Sequence, residues 1–405
     1  MAVNVVSRSF NQAVNENVQR RVFVGERDIK LNPDVTPLLT MTTKAGNRKP
    51  VNSTRIEWVE DDFVGYWGQV SAGSTNIDSV TTGVPVVDIT LFAVSDLIAV
   101  PKADTSSAAE EILRVTAVAG TTTGTITVSR GVGGSGADTI GATQDLRILG
   151  SAFAEGASIG TVRSTSKVVK VSFTEIFRRP ARVTKTMVAQ SQYGVENERK
   201  YQQEKALQEL KREIESMGLF GRASETLASP GTIRTTMGLK SRITTNIVNG
   251  STTLTETGLL SFVEGVFDDY YSGREKLFLS SPKVISALDF FSNGNLLYGP
   301  SETTLGVKVQ RYQSTHGQLL VTRDLLIQDG PLGNIGWGDE AFAIDIPSIE
   351  FHPLSGHGEN RDTHLLQDVA KNGDDVYADE WLCEGGWSIR HEARHGRLYN
   401  VQGYA

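Results

Sequence analysis

The stretch His391-Glu392-Ala393-Arg394-His395 has a catalytic spacing, H-E-x-x-H. On a helix, two histidines one turn apart bind zinc, and the glutamate between them acts on the metal-bound water. That chemistry needs a helix and a third protein ligand. The flanks instead alternate as in a strand, with Trp387, Ile389, His391, Ala393 and His395 on one parity. Two strand histidines on either side of Ala393 share a face but do not chelate at helical spacing. Gly396 follows at once, and the remaining residues hold no His, Glu, Asp or Cys. The segment reads as a solvated strand.

The other reactive residues point no more strongly to chemistry. Gly131-Val-Gly-Gly-Ser-Gly is a glycine cluster, but a phosphate cradle needs a helix after it and usually a lysine. Ala137-Asp-Thr-Ile-Gly follows instead, so the cluster reads as a mobile loop. Cys383 is the only cysteine. It excludes an internal disulfide, fits a reducing compartment and reads as buried packing. His316, His352, His357 and His364 stand in or beside loops and read as surface residues. No catalytic residue, metal or cofactor is assigned.

The chain has 405 residues and a net charge of −7. This length suffices for two or three compact units. The acidic balance argues against a dedicated nucleic-acid binder. The N-terminus MAVNVVSRSF lacks a secretory pattern, and no stretch has the length of a membrane span.

The longest helical signal runs from Thr184 to Gly221. Leu207, Leu210, Ile214 and Met217 fall on one face, and Gly218 and Gly221 supply the stop. Gly194 either begins the helix or kinks it. Between Glu196 and Glu204 only Tyr201 is large and apolar. Such a half packs weakly on its own core, so it is solvated or lies against other chains through polar contacts.

Residues 1 to about 32 read as an extended or disordered arm. Thr36 and Pro37 fit the start of a short helix. Arg55-Ile-Glu-Trp-Val-Glu reads as a strand. Five short β runs follow, at Val84–Val87, Leu97–Val100, Ile112–Val118, Thr125–Arg130 and Asp145–Leu149, the pattern of a small barrel or sandwich. Behind the long helix, helical spacing over Leu259–Tyr271 and Pro282–Phe291 alternates with strands at Leu277, Val307, Gln318, Leu325–Gln328, Ala341 and Ile349. This predicts an α/β unit with its own core. Thr363–Val401 is expected to form a long hairpin returning to the central helix.

In order and texture the chain resembles the major capsid proteins of tailed double-stranded-DNA bacteriophages. The resemblance is carried by Arg55-Ile-Glu-Trp, Thr127-Val-Ser-Arg-Gly-Val-Gly-Gly, Thr174-Glu-Ile-Phe-Arg, Tyr193-Gly with its helix, Thr236-Met-Gly-Leu, and Glu380-Trp-Leu through His395-Gly-Arg-Leu. It implies an α+β fold with five parts. These are an N-terminal arm (1–56), an extended loop (57–175) with a β subdomain at about 84–150, a peripheral domain with a spine helix (176–235), an α/β axial domain (236–355), and C-terminal strands returning to the peripheral domain (356–405). The implied function is structural: copies form hexamers and pentamers of an icosahedral shell around packaged DNA, without sequence-specific binding and without a membrane. The chain opens almost directly with the arm, which implies a separate scaffolding protein or none. Portal and decoration proteins are further implied partners, the virion the location, and the host cytoplasm the place of assembly.

On this reading Glu196, Glu198, Arg199, Lys200, Glu204 and Lys205 are candidates for contacts between subunits. Reversing Arg199 and Lys200 is then expected to leave folding nearly unchanged. A phage tail or fibre adhesin with a carbohydrate-binding β module is the alternative; the long central helix argues against it.

Overall fold

The computed structural model describes residues 36–73, 77–101, 110–158, 160, 163, 165–190, 197–229, 231–268, 273–292, 302–304, 307–330, 336–371 and 373–404. The arm at 1 to about 32, Gly194 and Glu196 lie outside them. The chain divides into two compact units, Val59–Val169 and the remainder. Paired strands Arg55–Glu60 and Val168–Phe173 run from one unit into the other.

The larger unit is built on a seven-stranded sheet and the spine helix. Strand order is Ile247–Leu254, Gly396–Tyr404, Ala341–Ile344, Glu275–Ser280, Gln318–Arg323, Val307–Gln313, Glu302–Thr304. Its central strands are apolar on both faces, as a sheet covered on both sides requires. Leu277, Leu279, Leu320, Phe342 and Ile344 enter one core with the spine helix. Phe278, Leu319, Val321, Ala341 and Ala343 enter a second core beneath helices Glu256–Phe267 and Pro282–Ser292. The period of two along each strand thus divides one sheet between two cores. The expected α/β unit is present, but only one of its faces has a core of its own; the other belongs to the spine helix.

The spine helix spans Glu198–Phe220, shorter than the sequence pattern suggests. Thr184 instead caps a separate short helix, Lys185–Ala189. Asn197 caps the spine, its side chain accepting from the Lys200 amide at 3.1 Å. Ala206, Leu210, Ile214, Glu215, Gly218 and Leu219 are buried. Trp387 lies across the helix at Gly218, where an added Cβ would come within 2.8 Å of the indole. Its Nε1 donates to the Ile214 carbonyl at 3.1 Å. Only glycine permits that approach.

Trp387 belongs to the strand Val376–Ile389, which pairs with Glu175–Thr184 over ten residues and then with Ile349–Pro353. The expected hairpin over Thr363–Val401 is formed only in part: His364–Leu366 pairs antiparallel with Glu380–Leu382 of this strand, which returns to the spine helix, but the last strand goes elsewhere. The chain leaves the strand after Ile389, turns through a short 3-10 helix at Glu392–Arg394, and joins the seven-stranded sheet as Gly396–Tyr404. His391, at φ 48°, sets that change of direction. Leu325–Gln328 is a turn rather than a strand, held by the Asp324 carboxylate accepting from the Leu326 amide at 2.8 Å.

The smaller unit is a six-stranded antiparallel sheet in the order Trp67–Gln69, Asp145–Ser151, Asp96–Val100, Glu111–Gly120, Gly124–Ser129, Gly83–Val86. It closes on its own apolar core, which includes Ile98, Leu113, Ile126, Ile140 and Leu146. The glycine cluster is pinned, contrary to the loop expected from sequence. Gly131, Gly133 and Gly134 take left-handed φ values of 64°, 73° and 82°, which explains the glycines without any phosphate. Arg130 anchors the turn through a buried ion pair to Glu111 at 2.6 Å. Burial alone would raise the Glu111 pKa, but the guanidinium and the Asp138 amide hold it below the usual carboxylate range.

Residues 59–169, expressed alone, should give a β-type circular-dichroism spectrum and one cooperative melt. Arg130→Ala should lower the stability of that fragment by about 3–5 kcal/mol, the cost of leaving one partner of a buried pair alone. A non-cooperative melt of the wild-type fragment would show that its core needs the rest of the chain.

Candidate functional site

The metal-binding motif does not assemble. His395 is wholly buried; its Nδ1 accepts from the Asp345 amide at 3.2 Å, which places the proton on Nε2, 3.2 Å from the Arg390 carbonyl. Burial holds its pKa near 3. Glu392 accepts from the Thr244 amide at 2.7 Å and the Thr244 hydroxyl at 2.9 Å. The segment is thus a structural turn, not the solvated strand expected. Among the described residues no group of three or more His, Cys, Asp or Glu side chains could hold a metal. No helix among them is long and apolar enough to cross a membrane. Cys383 is buried, and burial raises its thiol pKa. His352, expected at the surface, is buried in the strand Ile349–Pro353, where its ring bonds the Lys49 carbonyl at 2.9 Å and the Ser388 hydroxyl at 2.8 Å.

The spine helix carries the other candidate residues. Glu198 accepts from Gln202 one turn on, at 2.7 Å. Lys200, Glu204 and Lys205 are exposed. Arg199 is committed within its own chain. Its guanidinium donates to both oxygens of Asp379 at 2.7 and 2.6 Å and to Asp368 at 3.0 Å, and it lies 4.4 Å from the Tyr377 ring centroid. Gln203 and the Asp368 amide complete the shell around Asp379. These bonds, Arg199 foremost, hold the Asp379 carboxyl near 2. The polar half of the helix is therefore fastened to the strand Val376–Ile389 by a buried carboxylate. Apolar periodicity could not reveal this, because the anchor is polar and lies 180 residues away.

Glu215 was equally hidden. It is wholly buried beside Ile214, and its two oxygens accept from the Leu38 and Leu39 amides at 2.7 Å each. Those amides open the helix Pro37–Lys44, whose expected cap, Thr36, makes no capping bond. A carboxyl from the spine helix thus satisfies two of the free donors of a second helix. Asp324 faces Glu215 from the turn before Leu326. Burial raises both acids, Asp324 to about 6 and Glu215 well above the usual range, and their mutual repulsion adds to Glu215. Two carboxyls at such a site retain one proton between them. The sequence signal for Glu215 was its position between Ile214 and Met217 on the apolar stripe.

Two outcomes follow from these anchors. An acid whose folded pKa lies above its unfolded value stabilises at low pH, and that contribution is lost as pH rises through the folded value. For Asp324 the window runs from about pH 4, near its unfolded value, to beyond the folded value of about 6. Asp324→Asn should therefore melt near wild type at pH 4 and progressively above it by pH 7, as followed by calorimetry; a constant difference would exclude a shared proton. Arg199→Glu should destabilise the chain by about 3–5 kcal/mol in denaturant titration, since Asp379 would be left buried and unpaired. This replaces the expectation that Arg199 could be reversed without effect on folding.

A family model described as SU10 major capsid protein matches residues 10–402. No curated protein matches the chain. Among solved structures, the capsid of the native GTA particle aligns at 7% identity over 98% of this chain and all of that one, with a TM-score of 0.48. The capsid of Myoviridae phage XM1 aligns at 10% identity over 94% and 97% of the two chains, with a TM-score of 0.43. The SrpI encapsulin of Synechococcus elongatus PCC 7942 aligns at 12% identity over 58% and 78%, with a TM-score of 0.42. With nearly its whole length matched by that one family model, the chain belongs to the SU10 major capsid protein family, and its role is structural: it is a shell-forming capsid subunit rather than an enzyme.

Proposed function

We propose that copies of this chain associate as hexamers and pentamers of an icosahedral shell that encloses packaged DNA without reading its sequence. The observation that carries the multi-subunit arrangement is a hairpin placed directly after the spine helix. Among the described residues its strands Ser224–Leu227 and Thr232–Thr235 pair only with each other, and Leu227 and Ile233 are 87% and 60% exposed. An isolated two-stranded hairpin is marginal in water, and its exposed apolar side chains need cover from another chain. The acidic net charge suits a container, because tight phosphate binding by many copies would hinder packaging.

The outward residues of the polar spine, Glu198, Lys200, Glu204 and Lys205, together with Glu196, form part of the same contacts in this reading. Arg199 contributes indirectly, by fixing the helix to its strand. Division into arm, extended loop, peripheral domain, axial domain and returning strands follows the boundaries given above. Assembly in the host cytoplasm, with portal, separate scaffolding and decoration proteins as partners, completes the proposal.

Purified wild-type chain should sediment as capsomers or shells, and micrographs should show closed particles. Lys200→Glu should leave the melting of unassembled subunits within about 1 °C of wild type, as expected of an exposed side chain. It should also reduce particle yield most strongly at low salt, where exposed charges are least screened. Unchanged yield at all salt concentrations would show that this face is merely solvated.

A further inference from the structure

A groove of about 840 Å³ lies between the helix Pro37–Lys44 and the spine helix. Leu39, Leu207, Leu325 and Trp381 form its apolar floor. The Trp381 indole is fixed there by its Nε1, which donates to the Gln203 carbonyl at 2.8 Å. Five cations and two carboxylates line the groove. Arg48 is paired with Asp362, which leaves Lys44, Lys205, Lys211 and Arg212 around Glu209. These four cations are exposed, and none makes an ion pair with its own chain among the described residues. On a chain of net charge −7, so local an excess of cations over an apolar floor selects an acidic, amphipathic occupant.

Other sources of cover match this chemistry less well. Residues 1–35 hold five cations against four acids, so the N-terminal segment has no net negative charge to offer. A nucleic-acid backbone matches the cations but has no apolar side to set against Leu39, Leu207 and Trp381. The described helices of a second copy have already spent their apolar faces. Leu210 and Ile214 of the spine, Phe262 and Val263 of Glu256–Phe267, and Val284 and Leu288 of Pro282–Ser292 are buried in their own cores. The complementary element therefore belongs to a different protein.

We propose that the groove receives an acidic amphipathic helix of a separate protein. Such a helix lays its apolar face into a groove of its receptor, with anchors at i, i+3, i+4 and i+7. Lys205 and Arg212 stand about 10 Å apart along the spine, which matches two turns of that ligand. Its carboxylates meet these cations at the rim, and its aliphatic side chains cover Leu207, Leu325 and Trp381. Because the cations are exposed, the contact forms fast and weakens with salt, so the partner can leave again. The contact rests on the assembly proposed above, in which separate proteins take part, and adds the chemistry of one of them.

The probe is a synthetic helix of about eighteen residues, with leucine at i, i+3, i+4 and i+7 and glutamate between; a version with lysine for glutamate is the control. In calorimetric titration of the unassembled wild-type chain, the glutamate helix should bind, more weakly as salt rises, and the lysine helix should not. Lys205→Glu/Lys211→Glu should lose at least tenfold in affinity for the glutamate helix while its subunits melt normally. Hydrogen exchange of the wild-type chain should slow at residues 36–44 and 205–212 when the glutamate helix is added, and this footprint decides if the variant fails to fold. Equal binding of both helices, equal binding by the variant, or a footprint elsewhere would overturn the proposal. So would duplex DNA that displaces the helix and binds the same residues more tightly. The same footprint in particles assembled from this chain alone would assign the groove to a second copy and overturn it as well. Particle formation by the wild type is scored separately: particles without helix binding overturn the contact alone, and helix binding without particles overturns the assembly alone.

Discussion

A single buried acid, Glu215, joins three distant segments of the larger unit. Glu215 leaves the spine helix, caps the helix Pro37–Lys44 and faces Asp324 at the start of the Leu325–Gln328 turn. Three segments far apart in sequence meet at one side chain. An acid placed so deep would have a large desolvation cost as a charge; burial and Asp324 raise its pKa so that it keeps the proton of the pair, while each of its oxygens accepts an amide. The apolar groups around it, Leu38, Leu210, Ile214, Leu277 and Phe342, belong to one continuous core. The entry helix is therefore part of the fold rather than an appendage.

The same logic recurs at the other end of the spine. Asp379 fastens the first turns of the helix, Trp387 its last ones, and both stand on the strand Val376–Ile389. Apolar packing alone would let a helix with so narrow a stripe slide or rotate. Directional bonds at two points fix its register on the sheet. The outward side chains between those points, Lys200, Glu204 and Lys205 among them, are then held in set positions for whatever lies outside.

Periodicity made much of this legible. The spine helix, the helices over Glu256–Phe267 and Pro282–Ser292, and most strands of both sheets follow from apolar spacing. What escaped it was polar or distant. Glu215 and Asp379 look like ordinary surface acids, because their partners lie far away in the chain. The histidine motif looked like a strand because its parity continued past Ile389, and nothing local disclosed that His391 would take a left-handed turn. Trp67–Gln69 was unreadable as a strand because its side chains are largely exposed and carry no alternation. The basic groove arises where Lys44 and the spine meet, so no single stretch of sequence displays it.

The long strand has a mechanical consequence for the wall of a shell. Val376–Ile389 lies antiparallel to Glu175–Thr184 along ten paired residues, and its last five residues pair with Ile349–Pro353 on the other edge. A pull along its axis loads the paired bonds in shear, so they share the force and must yield nearly together. The hairpin Ser224–Leu227 with Thr232–Thr235 has four pairs and, among the described residues of its own chain, no further strand beside it, and a pull at its turn opens them one after another, like a zip. Stiffness and compliance thus sit at opposite ends of the same helix: the seam at Asp379 resists stretching, and the tab beyond Phe220 is free to give.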